Sequence, residues 1–546
     1  MKKTILAALI LLSPLTVWGY EGDVVEIVFS GTSATVTIPS TADVTCQQDG
    51  AHVQLTSSTT TEEYTYKLSG TTPDGSLTII GQYKLTLELA GVDITSQRGA
   101  AIDVESGKRV AVLLDEGTVN HLADSPGGSH KAALYFKGHP EFEGPGVLNV
   151  TGRTAHAISA KEYLQLKRTA GTINILSAVK DGIHCGKGIP DTEHNCFQMS
   201  GGVLNIADVG SDCIDSDDYG IMKISGGVIN ANVDKYDGTG LKCDSIIYLS
   251  GGQLNIDVSG EDAVALRANY ALQLTGGLLT LNISGNGSKG IKAKHKTSEP
   301  VTVADGGYLT LGGTDCTIYV HADDIPQDTT VVNVRAISAD KNILRQGGLV
   351  EIFGYGQMKS PYHTDGTDTD EGGELIIHRA PWQFYHGDFQ YDMTSYVALY
   401  ADGQPVSDYS DLAVGAFLGD ACVGVALDGY LRLYANSASA QSPAFRVYDY
   451  AAGREYVAFA TPSVTFTANS LAGSPSSPVR LNYWTVGDVN RDGLISIADV
   501  TALVNIILGK DDQEPYLYDH AAADVNRDGL PSIADVTALV NIILGK

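Results

Sequence analysis

Between Ser200 and Lys294 the chain repeats one pattern of apolar and polar positions every 25 residues. The phrase Ser200-Gly201-Gly202-Val203-Leu204-Asn205 returns as Ser225-Gly226-Gly227-Val228-Ile229-Asn230, Ser250-Gly251-Gly252-Gln253-Leu254-Asn255 and Thr275-Gly276-Gly277-Leu278-Leu279-Thr280. Looser copies add Asn149, Asn174 and Thr310, giving intervals of 25, 31, 25, 25, 25 and 30 residues from Asn149. A fixed period with extra residues in only two units predicts stacked repeats whose insertions bulge out as loops. Inside a unit, Ile221-Met222-Lys223-Ile224, a Gly-Gly turn, Val228-Ile229-Asn230 and Leu241-Lys242-Cys243 read as short alternating strands. No helical pattern is long enough to cross between them. The expectation is a right-handed parallel β-helix, each coil pairing with the next at ~4.8 Å. A β-propeller, the rival, takes ~40 residues or more per blade.

The flanking patterns divide the rest of the chain. Residues from Tyr20 to about Ala90 are β-rich but irregular, as suits the capping end of a solenoid, and Gly91 to Ile102 begins the coil pattern. The last coil-like phrases are Gly347 to Ile352 and Gly372 to Ile377, separated by an acidic loop from Thr364 to Gly373. After Pro381 aromatics cluster and strands recur at roughly ten-residue spacing, which predicts a β-sandwich over 381–470. Residues 471–486, opening with Ala472-Gly473-Ser474-Pro475, read as a linker before a final domain at 487–546. The fold class is mainly β: the β-helix over 20–380, the sandwich, and a small α-helical tail.

Composition sets the compartment. With 36 Lys+Arg against 64 Asp+Glu, the formal net charge of −28 disfavours nucleic acid as a partner and suggests calcium. Lys2-Lys3, the apolar run Ile5 to Leu12 and the break at Ser13-Pro14 predict a secretory signal over 1–19, cut near Gly19 or Tyr20. No other stretch reaches the ~18 apolar residues of a transmembrane segment, so a secreted or cell-surface protein is expected. Seven cysteines in 546 residues are no disulfide scaffold. Cys185 and Cys243 read as core filler, and Cys185 with Cys196 as a possible bridge around the six-residue insertion.

The tail carries the most specific motif. Asp488, Asn490, Asp492, Leu494, Ser496 and Asp499 recur 36 residues later as Asp524, Asn526, Asp528, Leu530, Ser532 and Asp535. Calcium takes six to eight oxygens, and a twelve-residue loop offers them from positions 1, 3, 5, 7, 9 and 12, with glycine at 6 (Gly493, Gly529) for the bend. Each loop runs into an apolar stripe at helical spacing, Val500, Leu503, Val504, Ile507, Leu508 and then Val536, Leu539, Val540, Ile543, Leu544. This duplicated loop-plus-helix resembles a type I dockerin. The resemblance implies bound Ca²⁺ and a cohesin-like partner met through Ile497, Ala498, Ile533 and Ala534. A calcium-stiffened cap with no partner is the alternative.

The phrase Ser211-Asp212-Cys213-Ile214-Asp215-Ser216 leading into Ile224-Ser225-Gly226-Gly227, with Leu68-Ser69-Gly70 and Gly91 to Ile102, resembles a family of secreted bacterial carbohydrate-binding proteins with a pectate-lyase-like parallel β-helix. Aligned coils put Ile158, Ile183, Ile214, Leu241, Val264 and Ile291 inward. Ser159, His184, Asp215, Lys242, Ala265 and Lys292 then form one outward column, and Lys161, Gly186, Asp217, Asp244, Arg267 and Lys294 another. A polyuronate such as pectin is the expected ligand: Asp212, Asp215, Asp217 and Asp244 would hold Ca²⁺, while Lys242, Arg267, Lys292 and Lys294 pair with sugar carboxylates. Three functions fit: a non-catalytic polysaccharide binder, a calcium-dependent polysaccharide lyase with Lys242 as base, and an adhesin or spacer. The first is the main expectation, the lyase reading the weaker.

Overall fold

A computed structural model describes residues 22–127, 130–186, 197–217, 220–295, 306–322, 334–356, 362–379, 382, 389–407, 412–419, 421–426, 430–438, 440–449, 454–492, 494–510, 518–520, 522–526 and 529–544. The expected signal and cut site, Cys196 of the proposed bridge and Asp528 lie outside them. The protein is mainly β with two short helices. It forms two compact units, Met1–Ala207 with Asp215–Met222, and Asp208–Ile214 with Lys223–Lys546.

The first unit opens with two antiparallel hairpins, Val24–Ser30 with Ser33–Thr37 and Val44–Asp49 with His52–Ser57. Alternation positions the first strand: Val25, Ile27 and Phe29 point in while Val24 and Val28 are exposed. Parallel pairing then takes over. One ladder runs His52–Ser57, Ser76–Ile80, Ile102–Glu105, Ala132–Phe136, His156–Ala160, Ile183–Cys185. Its register stacks Leu134, Ile158 and Ile183, all fully buried, and beside them Tyr135, Ser159 and His184. Burying each large apolar side chain contributes about 1.5–3 kcal/mol. In the second parallel ladder Asn149 lies opposite Asn174. Asn174 Nδ2 donates to Asn149 Oδ1 at 2.7 Å and Asn205 Nδ2 to Asn174 Oδ1 at 2.8 Å, so the repeated amides satisfy one another along the stack.

In the second unit Thr239–Cys243, Val264–Ala268, Lys289–Ala293, Arg335–Ala339 and Tyr362–Thr364 form a parallel ladder. Leu241, Leu266, Ile291 and Ile337 stack as the apolar column. The expected alignment at one coil is therefore off by two: Leu266, not Val264, aligns with Leu241, and Arg267, not Ala265, stands between Lys242 and Lys292. Val264 and Leu266 are both apolar two residues apart, so alternation alone cannot choose between them. Pairing chooses, because Gly240, Ala265, Gly290 and Ala336 then share one tight column, where a Cβ on Gly240 would lie 2.6 Å from the Ala265 carbonyl oxygen.

The Gly-Gly phrases are not turns between separate short strands. Ile246–Val258 and Ala271–Ile283 run through them as single thirteen-residue strands, with register shifts at Leu249/Ser250 and Ser250/Gln253. Gly252 and Gly277 take φ of +90° and +95°, which bends the strand without ending it. The arrangement thus departs from a regular β-helix of separate short strands. The acidic loop expected at Thr364 to Gly373 is also mostly strand. Asp368–Arg379 pairs with Ile343–Gly356, held by Arg345 to Asp370 at 3.0 Å.

No two-sheet sandwich follows. The described strands from Tyr391–Ala401 to Val479–Tyr483 join one nine-stranded sheet, and side chains from Met393, Val414, Leu433, Phe445 and Leu481 share a core. Val479–Tyr483, within the stretch expected as a linker, pairs in parallel with Tyr391–Ala401. In the tail, helices α1 (Ile497–Ile507) and α2 (Ile533–Ile543) bury Leu503 and Leu539 against Val489, Ala502, Ala523 and Val525. Ala502 and Ile506 turn inward in α1, while Ile507 and Leu508, expected in the core stripe, are exposed. Among the described residues, no helix is long and apolar enough to cross a membrane.

Candidate functional sites

In the second unit Lys242, Arg267 and Lys292 occupy one register position on three consecutive strands, spaced by ~4.8 Å of backbone. Ser338 and His363 continue the column. Lys242 Nζ lies 2.8 Å from Oδ2 of buried Asp212, and Arg267 Nη1 lies 3.6 Å from Asp237. The lysines beyond feel one another. Burial, then the charges of Arg267 and Lys292, hold Lys294 below the usual lysine range. Lys289, which sequence reasoning missed, falls to about 8: burial is the main cause, and Lys292 and Arg335 push against the pull of Asp262. Lys289 reads as apolar alternation in sequence, and only its pairing with Arg335 reveals the cluster. Cations gathered around Lys289 and Lys294 on a chain of net charge −28 make a candidate anion site.

The carboxylates named with these cations do not form one all-oxygen set within either unit. In the second unit Asp212 is engaged by Lys242, and Asp244 accepts from Asn269 Nδ2 at 2.6 Å. In the first, Asp215 and Asp217 gather round an imidazole, His184, with ligand atoms of the three within 4.8 Å of one another. Ser159 sits on the expected outward column beside His184 yet is buried. Burial pushes the His184 imidazole down most strongly, but its contacts with Asp181 and Asp215 outweigh that and raise it to about 9.

In the first tail loop the carboxylates converge. Ligand oxygens of Asp488, Asp492 and Asp499 lie within 4.8 Å of one another. Asp499 is fully buried, accepting from Asn490 N at 3.1 Å and Ser496 N at 2.8 Å, and it closes a capping box on α1 with Ser496. The second loop repeats this: Asn526 N and Ser532 N donate to Asp535 at 2.9 and 2.7 Å, and Gly529 N donates to Asp524 at 2.8 Å. Burial works to raise the Asp535 carboxyl, and these donors together hold it below the usual carboxylate range. Clustered carboxylates, buried at Asp488 and Asp499 and exposed at Asp492, fit calcium, which would be held by Asp488, Asn490, Asp492, Leu494, Ser496 and Asp499, with the repeat offering the counterpart set. On the solvent side of the loops, Ile497, Leu494, Ile533 and Leu530 are 76%, 66%, 74% and 74% exposed, a duplicated apolar surface.

A family model for carbohydrate-binding domain-containing proteins matches residues 49–352, more than half of the chain. The chain belongs to that family. A type I dockerin domain matches residues 486–544 of this carbohydrate-binding domain protein. No curated protein matches it. Among solved structures, a polysaccharide lyase-like protein from C. thermocellum, as a gadolinium derivative, is 17% identical, covering 65% of this chain and 97% of that one, with a TM-score of 0.27.

Proposed function

We propose that this protein is a secreted, non-catalytic binder of acidic, uronate-containing polysaccharide, tethered through its calcium-loaded dockerin to a cohesin-like partner. Successive strands of the second unit's ladder act as rungs, and an extended glycan laid across them meets a new cation every ~5 Å, close to one sugar. The carrying observation is the register of Lys242, Arg267 and Lys292. Arg supplies a planar fork for a carboxylate and the lysines point charges. The Lys242–Asp212 contact at 2.8 Å favours binding over elimination, since an ammonium held on a buried carboxylate is a poor base.

A glycan array with calcium and with chelator tests this reading. Retention of polygalacturonate, without new ultraviolet-absorbing unsaturated ends, supports the binder. Such ends, abolished by Lys242→Ala, would establish a lyase instead, and no retention of any glycan would leave a spacer.

A further inference from the structure

The first unit carries a concave site of its own. A cavity of about 530 Å³ is lined by His130, Lys131, Lys161, Lys180, His156 and His184 among others. On its wall the rings of His156 and His184 stack with centroids 4.4 Å apart and planes 15° from parallel. Both turn Nδ1 toward one carboxylate oxygen: Asp181 Oδ2 lies 3.0 Å from His156 Nδ1 and 3.5 Å from His184 Nδ1. Asp181 is buried, and both Nδ1 atoms are buried with no aligned hydrogen bond. Buried ring nitrogens at ion-pair distance from a carboxylate, yet poorly aligned with it, leave a place for a further partner.

The spacing suggests which one. Donors at ~2.0–2.1 Å around a tetrahedral ion lie about 3.3 Å from one another, between the two distances observed. All three ligand atoms lie within 4.8 Å of one another, and Asp215 Oδ2 stands 3.6 Å from His184 Nδ1 as an adjacent carboxylate. Two imidazole nitrogens and one carboxylate suit zinc, copper or nickel, whereas calcium prefers an all-oxygen set.

We propose that His156 Nδ1, His184 Nδ1 and Asp181 Oδ2 form a site for one divalent transition-metal ion, with a remaining coordination position open to the cavity. Three protein ligands and an open position leave the ion able to take an exogenous ligand, and the lining lysines favour an anionic one. Binding requires the stacked rings to swivel, because an imidazole holds its metal near the ring plane. The site eluded the 25-residue period because His156 and His184 are 28 apart and meet diagonally: His184 pairs with Ser159.

The test uses the full chain, stripped with chelator and returned to excess calcium so that the tail loops are filled. Cobalt(II) titration is expected to give one equivalent of an intense visible band, displaced by zinc. His156→Asn and His184→Asn should each weaken uptake by about tenfold or more, while Gly107→Ala, which meets open space, leaves it unchanged. Melting curves establish that the variants fold. Copper(II) resonance on the unaltered chain, expected to show two coupled nitrogens, is independent of any variant. Absence of cobalt uptake by the unaltered chain, or a band that survives in both histidine variants, overturns the site and leaves a histidine–aspartate clamp.

Discussion

Chelating calcium is expected to loosen the C-terminal helices before anything else in the chain. In the first loop oxygens of Asp488, Asp492 and Asp499 come within 4.8 Å of one another. At that distance two carboxylates repel by about 1 kcal/mol even at the dielectric of water, and by more where Asp499 is buried. Three such pairs are a substantial fraction of the stability of so small a module, whose core rests on Leu503, Leu539 and a few neighbours. Calcium at a hundred times its dissociation constant adds about 2.7 kcal/mol, enough to offset much of this repulsion. Asp499 also caps α1, so Asp499→Ala should lose about 1 kcal/mol of capping in addition to the metal. The assay is helical circular dichroism during thermal melting, with calcium and with chelator. A helix transition that chelation does not move, or one that Asp499→Ala leaves calcium-responsive to the same degree, would refute the assignment of these oxygens to calcium.

Lys289 supplies a pH dependence. Its folded value of about 8 lies below the ~10.4 of an unfolded lysine, so the unfolded chain binds more protons between the two and stability rises with pH through that window; the cost is fully present below about 8. An anionic ligand favours the charged form, so polyuronate affinity should fall as pH passes 8, less steeply in Lys289→Gln, as titration calorimetry across that range would show. Gly252→Ala forces a Cβ to 3.0 Å from Gly226 C and Gly227 O at a φ of +90° and should cost about 1–2 kcal/mol in urea unfolding, against almost nothing for Gly107→Ala, where there is open space. Ile497→Asp with Ile533→Asp should abolish capture of a cohesin by pull-down while leaving the helical melt intact, since both side chains are about three-quarters exposed.

The 25-residue period made the stacking legible, because parallel pairing converts a fixed interval into lateral neighbours: Asn149 meets Asn174, and Lys242 reaches Lys292 through one intervening strand. Phase was harder to read. Val264 and Leu266 offered equivalent apolar positions, and only the small-residue column of Gly240, Ala265 and Gly290 fixed which one aligns with Leu241. The Ser-Gly-Gly phrases signalled a change of direction correctly but not its size, since a positive-φ glycine can bend a strand as readily as end it. In the tail the twelve-residue spacing brought Asp488, Asp492 and Asp499 together as a calcium loop would. The helices behind them were less legible: the α1 stripe extended one turn too far, and Ile507 and Leu508 lie outside the small core. The acidic segment after Thr364 looked like a loop because its charges hid its pairing, which Arg345 supports from the neighbouring strand.

Cations in register, acting together on an acidic glycan, are what hold the polysaccharide in the proposed function. Affinity electrophoresis in polygalacturonate, with a neutral glucan as control, measures this directly for the unaltered chain and for Arg267→Glu with Lys292→Glu. A charge-assisted contact contributes about 1.5–3 kcal/mol, so each reversal should weaken retention by about tenfold or more, and added salt should weaken it further. Equal mobility of the two proteins in polygalacturonate, or equal retention of the unaltered chain in both gels, would contradict it.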